Sequence, residues 1–392
     1  MKTLQKRGAR RNGRTTLAVV GVLVAGAAIA ATNALRQTTV IMKKVTNVAA
    51  TLSPDNSNLI LDLHGTLHRV SASGGTAVAI TDPLLEGARP HWAPAGDFVA
   101  FQAYKGGTFH IWSMKPDGSS VTQLTTGHGD DREPRVSPDG KKIVFASDRA
   151  FANAADRKAG IEGTYDIWML DLATSALTQI TKDATDEFEP TWSPDGTKIA
   201  YVSGTGATGT TIRTVDAAGG GASTVVVTAP AGFRLNSPSY SPDGTKLAYL
   251  QFAANKSQLM VSPVAGGAAA RVGTSDDVFP FQANWMDNDH VLYTADGGIW
   301  SSTISSGSNR EIPFQATFTL DRTPYQRKTI DFEPNGPQQV KGIVSPALSP
   351  DGNHVVFQAL NQIYVMQIGG KPTAVTSDSY AKMDPAWLLI TS

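Results

Sequence analysis

The side chains with most chemical reach in this chain are carboxylates, and they come in short clusters. Asp130, Asp131 and Glu133 form one, Asp183, Asp186 and Glu187 a second, and Asp276 and Asp277 a third. Asp82, Glu86, Glu189, Asp378 and Asp384 stand in comparable stretches. Gathered on one face, they would make an acidic rim able to attract a basic peptide or a cation; left apart, they are ordinary solvated loop residues. Oxygen-rich clusters suit Ca²⁺, yet no EF-hand or nonapeptide spacing occurs, so no metal and no other cofactor is expected. The chain has no cysteine, which removes thiol nucleophiles, disulfides and thiolate zinc sites. Gly-x-Ser-x-Gly, His-Glu-x-x-His, a phosphate loop and a metal-binding His-x-His are all missing. His64 and His68 flank Gly65 in a strand pattern, which puts them across a hairpin, and the other histidines share no repeat position. No enzyme is expected.

What must position those loops is a repeat. Ser-Pro-Asp-Gly occurs at Ser137–Gly140, Ser193–Gly196, Ser241–Gly244 and Ser349–Gly352, with looser copies at Ser53–Asn56, Ala93–Gly96 and Met286–Asp289. The spacing of roughly 40–60 residues fits one four-stranded propeller blade per copy, with insertions in the longest gaps. Proline sets φ at the second turn position, Asp accepts local backbone hydrogen bonds, and Gly takes a conformation other residues avoid. Before the turn stands Pro-x-aromatic or Pro-x-aliphatic, as in Pro90-His-Trp92, Pro190-Thr-Trp192 and Pro238-Ser-Tyr240. After it come β-rich strands such as Lys142-Ile-Val-Phe-Ala and Lys198-Ile-Ala-Tyr-Val. A third strand carries Ile-Trp or Ile-Tyr, and a fourth is short and rich in threonine.

Tryptophan follows the same frame. Trp92, Trp192, Trp285 and Trp387 precede the turn, and Trp112, Trp168 and Trp300 lie in the third strand. Aromatics confined to equivalent places predict a packing layer between neighbouring sheets. No stretch has a helical apolar period. The reading is an all-β propeller of seven four-stranded blades, with six or eight as alternatives. The carboxylate clusters then lie in loops that join one blade's fourth strand to the next blade's first, and these share a face.

The Trp-Ser-Pro-Asp-Gly turn followed by Lys-Ile-Ala-Tyr-Val-Ser and Asp-Ile-Trp resembles the TolB-like propeller repeat of exported bacterial proteins, over nearly all of residues 45–388. Gly342–Gly352 and Gly369–Pro372 also resemble the propeller that precedes a metal-dependent amidohydrolase domain. No such catalytic domain is present, and neither is the small α/β domain of a TolB protein proper. The resemblance implies a binding or scaffold role with a protein or peptide partner in the cell envelope. The alternatives are a detached substrate-gating propeller of an amidohydrolase or peptidase, and a carbohydrate-binding propeller.

Lys2, Lys6, Arg7, Arg10, Arg11 and Arg14 precede an apolar run from Leu17 to Ala31, the pattern of a signal peptide or anchor over residues 1–34. Residues 38–392 are then the propeller, periplasmic or secreted, touching membrane only through an uncleaved leader. Loss of the six leader cations from a chain with 34 basic and 34 acidic residues leaves an acidic protein. That argues against nucleic acid and for a basic partner, bound by a monomer. Two insertions stand out. Ser147–Tyr165 lies on the acidic face; Phe314–Lys341, with Arg322, Tyr325 and Arg327, reads as a docking arm or as a cover on a blade edge.

Overall fold

The computed structural model describes residues 36–150, 164–204, 209–254, 256–322, 340 and 342–388. The leader and most of the Ser147–Tyr165 insertion lie outside them, as do Tyr325 and Arg327. Each repeat folds as an antiparallel four-stranded meander. In the third, the strands are Asp131–Val136, Lys142–Ser147, Asp166–Asp171 and Leu177–Gln179. Among the described residues, no helix is long and apolar enough to cross a membrane.

The turns form as their residues dictate. Ser137 Oγ donates to Asp139 Oδ1 at 2.6 Å and accepts from the Lys142 amide at 2.9 Å, while Gly140 sits at φ 72°. The same serine–aspartate bond recurs at Ser53, Ser193, Ser241 and Ser349. At Asp351 the hydroxyl of Ser349 and the amide of Asn353 hold the carboxyl down to about 2.

The chain divides into two compact units at residues 323/324. The first holds six sheets, each packed on the next, and sheet six returns to sheet one. Asn284 of sheet six accepts from the Leu52 amide at 3.1 Å and donates to the Ala50 carbonyl at 2.9 Å. Leu59 and Leu61 share one buried cluster with Leu292 and Ile299 across that seam. Each such side chain contributes about 1.5–3 kcal/mol of burial. Six of the seven expected four-stranded sheets belong to this unit, and within it sheet six meets sheet one, as in the six-bladed alternative.

The described part of the Phe314–Lys341 insertion matches the cover on a blade edge. Phe314–Arg322 is a strand that runs parallel to Gly75–Ala79 on the outer edge of sheet one, and Arg36–Met42 pairs antiparallel with it. Arg322 thus belongs, by its backbone, to a closing strap.

The second unit contains the seventh sheet, from Val344–Leu348 to Thr373–Ala374. Trp387 then donates its indole N–H to Ala347 O at 3.0 Å. In the ring, Trp192 donates to Arg135 O at 3.1 Å and Trp285 to Ser239 O at 3.2 Å. The indole nitrogen of Trp92, at the equivalent place, is buried without a partner, whereas Trp192 and Trp285 bond the inner strand of the preceding sheet. Residues 384–388 repeat that relation inside the second unit.

Candidate functional site

Pro90, Pro134, Pro190 and Pro238 interrupt the inner strands of ring sheets two to five, and the register slips beside each. The residue before the proline takes a left-handed conformation: Arg89, Glu133, Glu189 and Ser237 have φ of 50–61°. A residue preceding proline ordinarily stays extended, so each such bulge stores roughly 1–3 kcal/mol of strain. Three of the freed amides are satisfied by side chains of the preceding sheet, and the fourth, Ser237 N, by its neighbour Asn236 at 2.7 Å. Arg89 N donates to Asp62 Oδ2 at 3.1 Å, Glu133 N to Gln102 Oε1 at 2.8 Å, and Glu189 N to Glu133 Oε2 at 2.6 Å.

The bulges bring the side chains of three sheets together on the ring axis. Arg89 pairs with Glu189 through Nη1 and lies 3.8 Å from Glu133, and Arg135 Nη2 reaches Glu189 at 3.5 Å. Arg89 also covers the Phe281 ring at 5.1 Å. A small axial cavity of about 20 Å³, little more than room for one water molecule, is lined by Arg89, His91, Arg135, Phe281, Gln282 and Asn284, among others. His91 accepts from the Val136 amide at 3.3 Å, and burial beside Arg135 pushes its imidazole down to about 3, so it is neutral. Burial and the neighbouring Glu189 carboxylate push Glu133 up to about 7, against the pull of Arg89.

A different cluster faces solvent at the loops of sheets two and three. Tyr104 and Phe109 flank the Gly106-Gly107 turn, with ring centroids 5.0 Å apart. The Arg132 guanidinium lies 4.5 Å over Phe109 and 5.6 Å over Tyr165, and donates to Asp130 at 2.9 Å. Tyr104 remains 43% exposed and the Arg132 side chain 39%. Behind this patch, buried Asp131 accepts from Ser147 Oγ at 2.6 Å and from both Nε and Nη2 of Arg149, with His110 Nδ1 at 3.3 Å. Burial works to raise Asp131, but His110, Arg149 and Ser147 hold it below the usual carboxylate range.

No family model matches the chain. A TolB homolog of Chlorobium chlorochromatii is 42% identical over a segment covering 28% of this chain and 31% of that protein. An uncharacterized protein of Agrobacterium fabrum is 32% identical over 29% of this chain and 34% of its own length. The Tol-Pal system protein TolB of Francisella tularensis subsp. holarctica is 29% identical over 24% and 19%. The chain therefore spans about a third or less of these curated relatives. Among solved structures, one assigned as TolB in Agrobacterium tumefaciens aligns with TM-score 0.50 at 18% identity, over 71% of this chain and 99% of that one. A chain of a nidogen/laminin complex aligns with TM-score 0.51 at 10% identity, over 67% and 98%. The repeated turns, the meandering sheets and these likenesses agree. The chain carries a TolB-like β-propeller.

The acidic rim expected on this TolB-like propeller is largely spent internally. Asp131, Glu133 and Glu187 are buried, and Asp130 is held by Arg132. Asp186 accepts from the Tyr165 amide at 3.1 Å, and Asp276 pairs with Arg271 at 3.0 Å and Lys256 at 3.5 Å. Asp183 and Asp277 are exposed. Arg89 and Arg135 were absent from the predicted site and Glu189 entered it only as one more rim carboxylate, although Arg89 and Glu189 each stand directly before an inner-strand proline and Arg135 directly after one. Among the described residues, no three His, Asp or Glu side chains group as a metal site.

The axial cluster makes a prediction about pH. Glu133 has a folded pKa above its unfolded value near 4.5, so its contribution is complete below that value. It is lost as pH climbs through about 7. Urea midpoints should fall between about pH 5 and pH 8, and Glu133→Gln should flatten that part of the profile. An unchanged slope in the variant would assign the dependence to other groups.

Proposed function

We propose that this chain is an exported, non-catalytic propeller that binds a protein or peptide of the cell envelope. The contact surface is the patch of Tyr104, Phe109, Arg132 and Tyr165. The observation that carries the reading is Arg132, stacked on two rings, anchored by Asp130, and still open to solvent. Arginine and tyrosine dominate binding hot spots, and a guanidinium already fixed by aromatic faces loses little freedom on binding. The names of the TolB relatives support an envelope role, and the basic, then apolar, leader supports export. Since most rim carboxylates are already paired, aromatic and arginine contacts rather than an acidic field select the partner.

Capture from envelope extract tests this. The Tyr104→Ala/Arg132→Ala double variant should keep its thermal unfolding profile and lose its partner by about tenfold or more. Undiminished capture would reject the patch. A second reading, carbohydrate binding, draws on the open ring of Tyr104 beside Phe109. Retention on neutral oligosaccharide that Tyr104→Ala abolishes and Arg132→Ala spares would favour it.

A further inference from the structure

Between sheets three and four lies a pocket of oxygen atoms with no cation to match them. Glu187 is fully buried, and neither carboxylate oxygen meets a partner in good hydrogen-bond geometry, with the Thr181 hydroxyl and the Asp183 carboxylate its nearest polar side chains. Its amide donates to Tyr165 O at 2.7 Å, which sets it beside Asp166 at the start of the neighbouring sheet's third strand. Asp166 is buried too; Gln179 Nε2 occupies its Oδ2 at 2.9 Å, while its Oδ1 is unpartnered. The buried hydroxyl of Tyr201 is also unpartnered. Three carboxylate oxygens, two of them on one residue, are thus buried without a well-placed donor on one seam between sheets, and the Tyr201 hydroxyl lies on the same seam near Ser223. Two other carboxylates stand close: Asp183, exposed at the edge, interacts with Glu187, Asp166 and Tyr201, and Asp186 with Asp166. The nearby cations do not fill the gap. Lys182 is exposed, and Arg213 spends its Nε on Ser223 Oγ at 2.9 Å.

A buried carboxylate without a donor is costly, and two facing one another are more so. Oxygen-only donors on a negative site are the chemistry that hard divalent cations select. Two carboxylates balance the charge of one such ion. We infer that Glu187 and Asp166 form a Ca²⁺ site at the seam of sheets three and four, with the Tyr201 hydroxyl facing it, Asp183 at its entrance and water completing the shell. The ion would tie the two sheets beside the loops that carry Tyr165, so cation binding would also stiffen one wall of the proposed contact patch. The site itself does not depend on that patch having a partner.

The test uses the full chain, stripped of metal, with CaCl₂, MgCl₂ and choline chloride at matched ionic strength. Calorimetry should give one saturable calcium site with a dissociation constant on the order of 0.1–1 mM, the range of extracellular modules. Calcium should raise the melting temperature, and magnesium should do so much less. Tb³⁺ should give tyrosine-sensitised emission that calcium displaces. Glu187→Gln and Asp166→Asn should each weaken both signals by about tenfold or more, whereas Asp277→Asn should leave them unchanged. Without calcium, Glu187→Gln should melt no lower than the parent, because burial pushes the Glu187 carboxyl up to about 8 and the amide matches the shape of that neutral acid. That result separates loss of the site from loss of the fold. Absence of a saturable isotherm, an equal response to magnesium, or a calcium shift that survives in Glu187→Gln would overturn the site. Unaltered partner capture with calcium removed would leave it standing.

Discussion

Asp131→Ala is expected to cost the propeller about 3–5 kcal/mol, the usual penalty for removing one partner of a buried ion pair. The carboxylate is wholly buried and holds Ser147, His110 and both arms of Arg149. Its removal leaves the guanidinium against the Phe145 and Trp168 rings, at 5.5 and 5.6 Å, without a counter-charge. For a chain of this size the melting temperature should drop by ~5 °C. Asp183→Asn, at an exposed position of the next acidic loop, should stay within about 0.5 kcal/mol of the parent. Similar urea midpoints for the two variants would mean that Asp131 is not the anchor described.

Glu189→Gln should be nearly as damaging, at about 3 kcal/mol or more. One carboxylate stands against Arg89 on one side and Arg135 on the other, so the amide leaves two arginines facing each other on the axis. The left-handed backbone at residue 189 is kept by the substitution, so the measured loss reports charge rather than strain. Arg89→Met combined with Glu189→Met should be milder than the sum of the single changes, with coupling of about 1 kcal/mol or more. Additive losses in denaturant melts would show that the two side chains act independently.

Much of this architecture could be read from residue types. Ser137-Pro-Asp-Gly140 and its copies announced the turns because each atom of the motif has a local task that no distant contact can override. Tryptophan spacing gave away the layer between sheets for a similar reason, since only one face of the inner strand meets its neighbour. The blade number was harder. Whether sheet six meets sheet one or makes room for a seventh depends on small angles accumulated around the ring, and no single residue encodes them. Asn284, which bonds sheet one across the seam, looks in sequence like any other polar strand residue. The acidic loops misled in another way. Their composition is that of a solvent-facing rim, yet Asp131 and Glu187 are buried at the start of their inner strands, as are Glu133 and Glu189 two residues on, whereas Asp130 and Asp186 beside them stay half-buried. Arg132 and its two rings come from separate loops, so their stacking had no linear signature.

The strap on sheet one bears on how the molecule comes into being. Phe314 lies opposite Gly75, and Asn284 opposite Ala50, so the bonds that shut the circle join stretches more than two hundred residues apart. Such pairings are entropically slow to form, and they must wait for almost the whole first unit to be made. Until then the edge strand Gly75–Ala79 lacks its neighbour, an open template for a stray chain. A nascent copy is thus most vulnerable to clumping with its siblings in the interval before residue 314 arrives, which makes the last strand a safeguard against aggregation as much as a fastener.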